Sequence, residues 1–291
     1  MSADNRLAVN VQAAREVGNT LRQSFNDPSI GILGHTTMPE DILPGGMTKG
    51  SYEHLMFTTL TVSLDYMRDA VALWAASRHA YEDETSRYLF SPQRVVQSPS
   101  GAVSRDLQRH GVSLRPDQDA HIWNSVSLTF LTKWGGNPMN MLEAARYDAP
   151  SVLQMVQSEV GFPYLRGPKI SALWVRMLRD NVGIAFKNMG KIPIPTDIHI
   201  VRATLSTGVL RGNYSGSLDG VRPYVQEAWA DGLAGTKLIP LDVDEPLWNL
   251  SRYGCTRRTG GLCPAARACA VSAHCVAGVV RVSTGGVEVH T

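Results

Sequence analysis

Apolar residues recur at helical spacing along most of the chain. Leu7, Val11, Ala14, Val17 and Leu21 follow one another at three- and four-residue steps and predict a first helix over 3–25. A loop is expected over 26–50, where Asn26-Asp27-Pro28, Pro39 and Pro44-Gly45-Gly46 break any regular element. That loop is long for a connection inside a domain, which marks it as functional or mobile. The pattern then predicts two successive helices over 52–82, and further helices over 101–112, 118–132, 138–146 and 149–160. Asn137-Pro138 and Asp148-Ala149-Pro150-Ser151 carry the polar cap and early proline of helix entries. Strand signals are scarce. The clearest lie in the tail, where 279–282 and 287–289 flank Ser283-Thr284-Gly285-Gly286 as a small β-hairpin. The pattern reads as a helical array built by helix-pair packing, without an internal repeat.

Length and composition sharpen this picture. The 291 residues suffice for one large domain or two medium ones. With 43% apolar and 19% charged residues the chain belongs among globular proteins. A formal net charge of +2 means that any nucleic-acid surface must come from local clustering. No stretch reaches the roughly 18 apolar residues of a membrane span, and the opening MSADNRLAVN has no apolar core of a signal peptide. A cytoplasmic protein without membrane contact is the expectation.

Two segments carry candidate chemistry. The first is Gly161-Phe-Pro-Tyr-Leu-Arg-Gly-Pro-Lys169, in which a turn at Arg166-Gly167-Pro168 runs into an amphipathic helix starting at Lys169. Backbone N–H groups at such a helix start suit a phosphate. From 164 to 191 there are six basic residues (Arg166, Lys169, Arg176, Arg179, Lys187, Lys191) against one acid, Asp180. The same pattern also fits an ordinary solvated basic face. The second segment is Gly190-Lys-Ile-Pro-Ile-Pro-Thr-Asp197, followed by an apolar-periodic helix with Ile198, Val201, Ala203 and Leu205. Asp197 fits two readings, a helix N-cap and a catalytic carboxylate.

The four cysteines, Cys255, Cys263, Cys269 and Cys275, form one run, C-x7-C-x5-C-x5-C. In a cytoplasmic chain they are expected to be thiolate ligands of one centre rather than disulfides. Zinc sites usually contain a C-x2-C knuckle, which this run lacks. The long spacers and Cys263-Pro264 favour a [4Fe–4S] cluster, with zinc and unliganded thiols as the alternatives. From 246 to 287 there are five arginines (Arg252, Arg257, Arg258, Arg267, Arg281) and no acid, which suits phosphate contact and equally an exposed structural knuckle.

Taken together, the hairpin over 165–178 and Pro195-Thr-Asp-Ile-His-Ile-Val-Arg202 resemble the hairpin and catalytic aspartate of the helix-hairpin-helix DNA glycosylases, the group of endonuclease III. The wording Ile192-Pro-Ile-Pro-Thr-Asp197 is similar to the archaeal 8-oxoguanine glycosylases. The sequence departs from the usual pattern at four points, one being the longer spacing of 28 positions from Lys169 to Asp197. Gly167-Pro168-Lys169 replaces a Gly-x-Gly hairpin, Ile198-His199 replaces Thr-His, and the family's C-x2-C step is missing from the cysteines.

The resemblance implies an all-α fold of two helical domains with a cleft between them. An N-terminal helix and loop (1–50) would pack with the C-terminal part. A six-helix domain (51–182) would end in the hairpin, and 183–291 would hold the aspartate and the cysteines. It implies Asp197 as the catalytic carboxylate and Lys169 as the amine of a bifunctional lyase. Arg166, Gly167, Arg257 and Arg258 are the expected DNA contacts, and a cysteine-bound cluster follows the catalytic helix. The expected partner is double-stranded DNA with a damaged or modified base, bound by a monomer. Two other functions fit the same residues: a non-catalytic hairpin protein that grips DNA or RNA, and a glycosylase acting on a nucleotide or on RNA.

Overall fold

The computed structural model describes residues 6–259 and 263–291. Its elements, in chain order, are β1 (Arg6–Val9), α1 (Val11–Phe25), α2 (Tyr52–Val62), α3 (Ala70–Glu82), α4 (Pro92–Val96), α5 (Ala102–Arg109), α6 (Pro116–Trp134), α7 (Pro138–Ala144), α8 (Ala149–Ser158), α9 (Pro168–Met177), α10 (Ile198–Ser206), β2 (Leu210–Gly216), α11 (Leu218–Leu233), α12 (Asp244–Tyr253), β3 (Val279–Ser283) and β4 (Gly286–His290). The protein is mostly helical, with one small antiparallel sheet. Polar caps set the helix starts. Asn10, Ser51, Asp69, Asn137, Asp148, Asp197 and Ser217 each accept a backbone N–H of the first turn. Pro92, Pro116, Pro138 and Pro168 occupy first-turn positions, where a missing N–H costs nothing.

The start of the chain departs from the expected helix. Residues 3–5 of that helix lie outside the described residues, and residues 6–9 form a strand. Asn10 caps α1 by accepting from Ala13 N at 3.0 Å, so the helix begins only at Val11. The preceding Arg-Leu-Ala-Val pairs with β2 in antiparallel register, Arg6 opposite Asn213 and Val9 opposite Leu210. The expected tail hairpin is present as β3 and β4, and it joins the same sheet in the order β1-β2-β4-β3. Over 26–50 the chain is a loop, apart from a single 3-10 turn at Pro39–Asp41 and a tight turn closed by Ile32 and His35.

Contacts along the chain divide it into two units, Met1–Thr37 with Pro193–Thr291, and Met38–Ile192. In the first, α1 lies against α11 so closely that a Cβ added at Gly232 would sit 2.2 Å from Ala14 Cβ. Val17, Leu21, Val201, Leu205, Trp229 and Leu247 are fully buried in this unit. Apolar area removed from water on this scale is the main stabilising term.

In the second unit α2 is buried along almost its whole length, His54 to Val62. Phe57 meets Trp74, Tyr81 and Phe90 in an aromatic cluster that extends to Trp123. Helix α9 is joined to this core by Trp174, whose Nε1–H donates to Thr59 Oγ1 at 3.0 Å. It also carries a buried ion pair, Arg176 to Glu40 at 2.5 Å. Asn181, in the π-helical turn that follows α9, donates to Asp41 Oδ1 at 2.7 Å, so both residues hold the 38–41 segment.

Candidate functional site

Asp197 is the N-cap of α10. Buried Pro195 and Thr196 lead into it, and the Thr196 hydroxyl donates to the Ile194 carbonyl at 3.0 Å. The Asp197 Oδ1 accepts from His199 N at 2.8 Å and Ile200 N at 3.0 Å. The carboxylate is therefore fixed by two donors at the positive end of a helix, and it stays half-buried. One turn on, Arg202 donates to Ser251 Oγ at 3.1 Å and to the Val282 carbonyl at 2.8 Å. The Ser251 hydroxyl also meets His199 Nδ1 at 3.2 Å, and the His199 ring packs 5.2 Å from Trp248. Burial pulls the Arg202 guanidinium below its ordinary value, while the charges of Cys255 and Asp197 oppose that pull.

The other end of α10 meets the cysteines. Helix α12 runs into Gly254 and Cys255, and the chain then winds back through short turns. All four cysteines line one recess, together with Thr207, Leu250, Gly254 and Val271. The thiols are free, with Cys255 buried and the other three half-buried. Among the described residues no group of three or more His, Cys, Asp or Glu side chains is drawn together to hold a metal ion. Burial, and then the nearness of Cys275, Cys269 and Cys263, pushes the Cys255 thiol up to about 12. Cys269 and Cys275 are raised for the same first reason, burial. At Cys269 the Val271 N–H works against the rise, and at Cys275 the Arg258 charge does so. Thiols buried in this way favour their protonated forms unless a positive centre stands beside them.

The recess has a tightly fitted wall. A Cβ at Gly254 would come within 2.7 Å of Leu33 Cδ1, and Leu33 itself sits at φ 53 in the Ile32–His35 turn. In that turn His35 stacks on Tyr253 with ring centroids 3.4 Å apart.

Lys169, Arg166 and Gly167 belong to the other unit. Gly167 is the N-cap of α9 at φ −61, an ordinary backbone conformation. The left-handed residue of the turn is Tyr164 instead, at φ 61. Arg166 is exposed. The Lys169 amine pairs with Asp65 Oδ2 at 3.4 Å. Next to Asp65, Tyr66 stacks on Tyr164, and the Tyr164 hydroxyl receives Gln118 Nε2 at 2.7 Å. Phe162 is fully buried, as are Trp74, Trp123 and Trp174. In the cysteine segment Arg257 is exposed, whereas Arg258 donates to the Val276 and Gly278 carbonyls at 2.5 and 3.0 Å and so closes the loop upon itself.

Asp65, Arg202, Ser206 and Ser251 were not marked by the sequence pattern. For Arg202, Ser206 and Ser251 the only signal was a polar residue set in a helix, and Asp65 lies in the turn between α2 and α3. No family model matches the chain, and no curated protein is significantly similar to it.

Proposed function

We propose that this protein is a DNA N-glycosylase of the helix-hairpin-helix superfamily. It would flip a damaged or modified base out of double-stranded DNA and cut its N-glycosidic bond. The observation that supports this most is the setting of Asp197. Its half-buried carboxylate is held by two backbone N–H groups at the head of a short helix, and the far end of that helix borders the four-thiol recess.

The chemistry follows from the bond to be broken. As the base departs, positive charge builds on the sugar, and a carboxylate fixed beside it lowers the energy of that oxocarbenium-like state. Asp197 is fixed before the reaction, so little reorganisation is needed as the charge develops. Extruding the base costs a few kcal/mol, which is least for a mismatched or damaged pair. Arg166 and the start of α9 at Gly167 offer charge and backbone donors to a phosphate, and exposed Arg257 offers a further cation.

Lys169 would extend the reaction to strand cleavage. Its neutral amine would form a bond to C1′ as the bond to the base breaks, the base leaving with the amine's proton. The sugar ring would then open to an imine joining Lys169 to C1′. That step requires the amine to leave its pair with Asp65.

The four cysteines would be the ligands of a [4Fe–4S] cluster. Zinc sites usually contain a C-x2-C knuckle, which this run lacks, so we favour the cluster over zinc. A bound cluster would supply the positive centre that the thiols need and would tie the 255–275 loop. The direct test of the function is base release from a panel of duplexes, each carrying one damaged or modified base, by anaerobically purified protein and by Asp197→Asn. Release that the variant lacks supports the reading. Tight binding without release from any duplex moves it to a non-catalytic hairpin protein.

A further inference from the structure

The side chain of His199 is gripped from helix α12. Its Nδ1 lies 3.2 Å from Ser251 Oγ, and its ring packs 5.2 Å from Trp248, one turn earlier on α12. Arg202, one turn along α10, donates from Nη1 to the same Ser251 oxygen at 3.1 Å. Its Nη2 donates to the Val282 carbonyl at 2.8 Å, so the guanidinium is held from two sides. Ser251 is fully buried, and among the described residues these are the two polar partners of its hydroxyl.

This geometry decides where the proton of a neutral His199 sits. A guanidinium only donates, so Arg202 fills a lone pair of the Ser251 oxygen and cannot take its proton. Were Nδ1 to donate as well, the hydroxyl proton would stand buried without an acceptor, which is costly. The remaining arrangement satisfies every group. Ser251 accepts from Arg202 and donates to His199 Nδ1, and the ring proton stays on Nε2. His199 is half-buried and lies two residues past Asp197, in the first turn of the same helix.

We propose that Ser251 is a positioning residue. It locks His199 as the Nε2–H tautomer, and that neutral donor meets an oxygen of the nucleotide held at Asp197. The proposal rests on the reading of the protein as a DNA N-glycosylase. Such a substrate offers two kinds of acceptor, an oxygen of a neighbouring phosphate and an oxygen of the departing base. A phosphate contact is made equally before and during the reaction and supports binding. An oxygen of the base gains charge as the bond breaks and supports the rate.

The test uses full-length wild type, Ser251→Ala, His199→Gln and His199→Leu. NMR of nitrogen-labelled protein at alkaline pH reads the two ring nitrogens of His199 first. Wild type is expected to carry the proton on Nε2 alone, and Ser251→Ala to show a mixture of both tautomers. A serine that only fills space would leave the tautomer unmoved. Duplex affinity and single-turnover release are measured second, on the best substrate of wild type. Ser251→Ala and His199→Leu are expected to lose about tenfold, in affinity if the acceptor is a phosphate and in rate if it is the base. His199→Gln, whose amide can place an N–H where Nε2 stood, is expected to recover most of that loss. Should Ser251→Ala fail to fold, the wild-type tautomer and the comparison of His199→Gln with His199→Leu still decide. Three results overturn the proposal alone: a wild-type proton on Nδ1, a folded Ser251→Ala with the wild-type tautomer, or a folded His199→Leu with wild-type affinity and rate. Wild type that releases no base from any duplex overturns the glycosylase reading, and this use of the donor with it.

Discussion

Asp197 and Ser206 bracket one nine-residue helix, the first as its N-cap and the second as its last residue. The carboxylate at one end is held by backbone donors, and the carbonyl of the serine at the other accepts from Val276 N, next to Cys275. At 1.5 Å per residue such a helix is only roughly 14 Å long. Whatever orders the cysteine loop therefore also steadies the element that carries the aspartate.

If the cysteines hold the proposed cluster, loss of one should be felt along that helix. Cys269→Ser is expected to lower iron content to a small fraction of wild type and to increase amide exchange over 198–206. Iron analysis and hydrogen-exchange mass spectrometry measure the two effects. Full iron content in the variant, or unchanged exchange in an iron-free variant, contradicts the expectation.

Strand nicking should depend on Lys169 and excision should not. Lys169→Gln is expected to abolish borohydride trapping on DNA while base release persists. Asp65→Asn, which removes the Lys169 ion-pair partner, is expected to change trapping and leave release within a few-fold of wild type. Trapping of Lys169→Gln as efficient as wild type excludes this amine.

The fold should lose stability in mild acid through His54. The side chain is 1% exposed, and Gly50 N–H donates to its Nδ1 at 3.1 Å, which leaves the proton on Nε2. Burial, with a smaller contribution from the Lys49 charge, lowers its pKa from 6.5 to about 4. The folded state thus holds the ring neutral at pH values where the unfolded chain has already protonated it. Stability is fully present above about pH 6.5 and falls as pH drops toward 4, by about 3 kcal/mol in total at roughly 1.4 kcal/mol per unit. Urea unfolding of wild type and His54→Gln across this range measures it. The variant's midpoint should show a flatter pH dependence.

Gly232→Ala should destabilise the protein by about 1–3 kcal/mol through overpacking. The added methyl would meet Ala14 Cβ at 2.2 Å across the α1–α11 contact. Chemical denaturation checks this, and an unchanged midpoint contradicts the packing described.

The helices were largely legible because their signals are local. Polar caps and first-turn prolines mark Pro138 and Ala149 as starts, and a 3.6-residue rhythm carries each pattern onward. Strand β1 was hidden because its partner lies some 200 residues away, and its Leu7 continues the rhythm of α1. Strand β2 was hidden by Gly212, which reads as loop but is required there. At φ 126, its added Cβ would strike the Arg6 carbonyl oxygen. In the hairpin the expected glycine conformation falls on Tyr164, a residue that rarely adopts it. The gathering of the cysteines could be read from their bunching. The contact of the Ser206 carbonyl with Val276 at the exit of their loop could not, since a serine near a helix end has many uses.

The central claim concerns Asp197, and single-turnover base release by Asp197→Asn tests it most directly. Asparagine is a good N-cap, so the variant should keep the wild-type melting temperature and duplex affinity. Its rate of release on the best substrate of wild type should fall by at least about a hundredfold, or roughly 2.7 kcal/mol of transition-state stabilisation. A folded, DNA-binding Asp197→Asn protein that releases the base at the wild-type rate would contradict the assignment of this carboxylate to the chemistry.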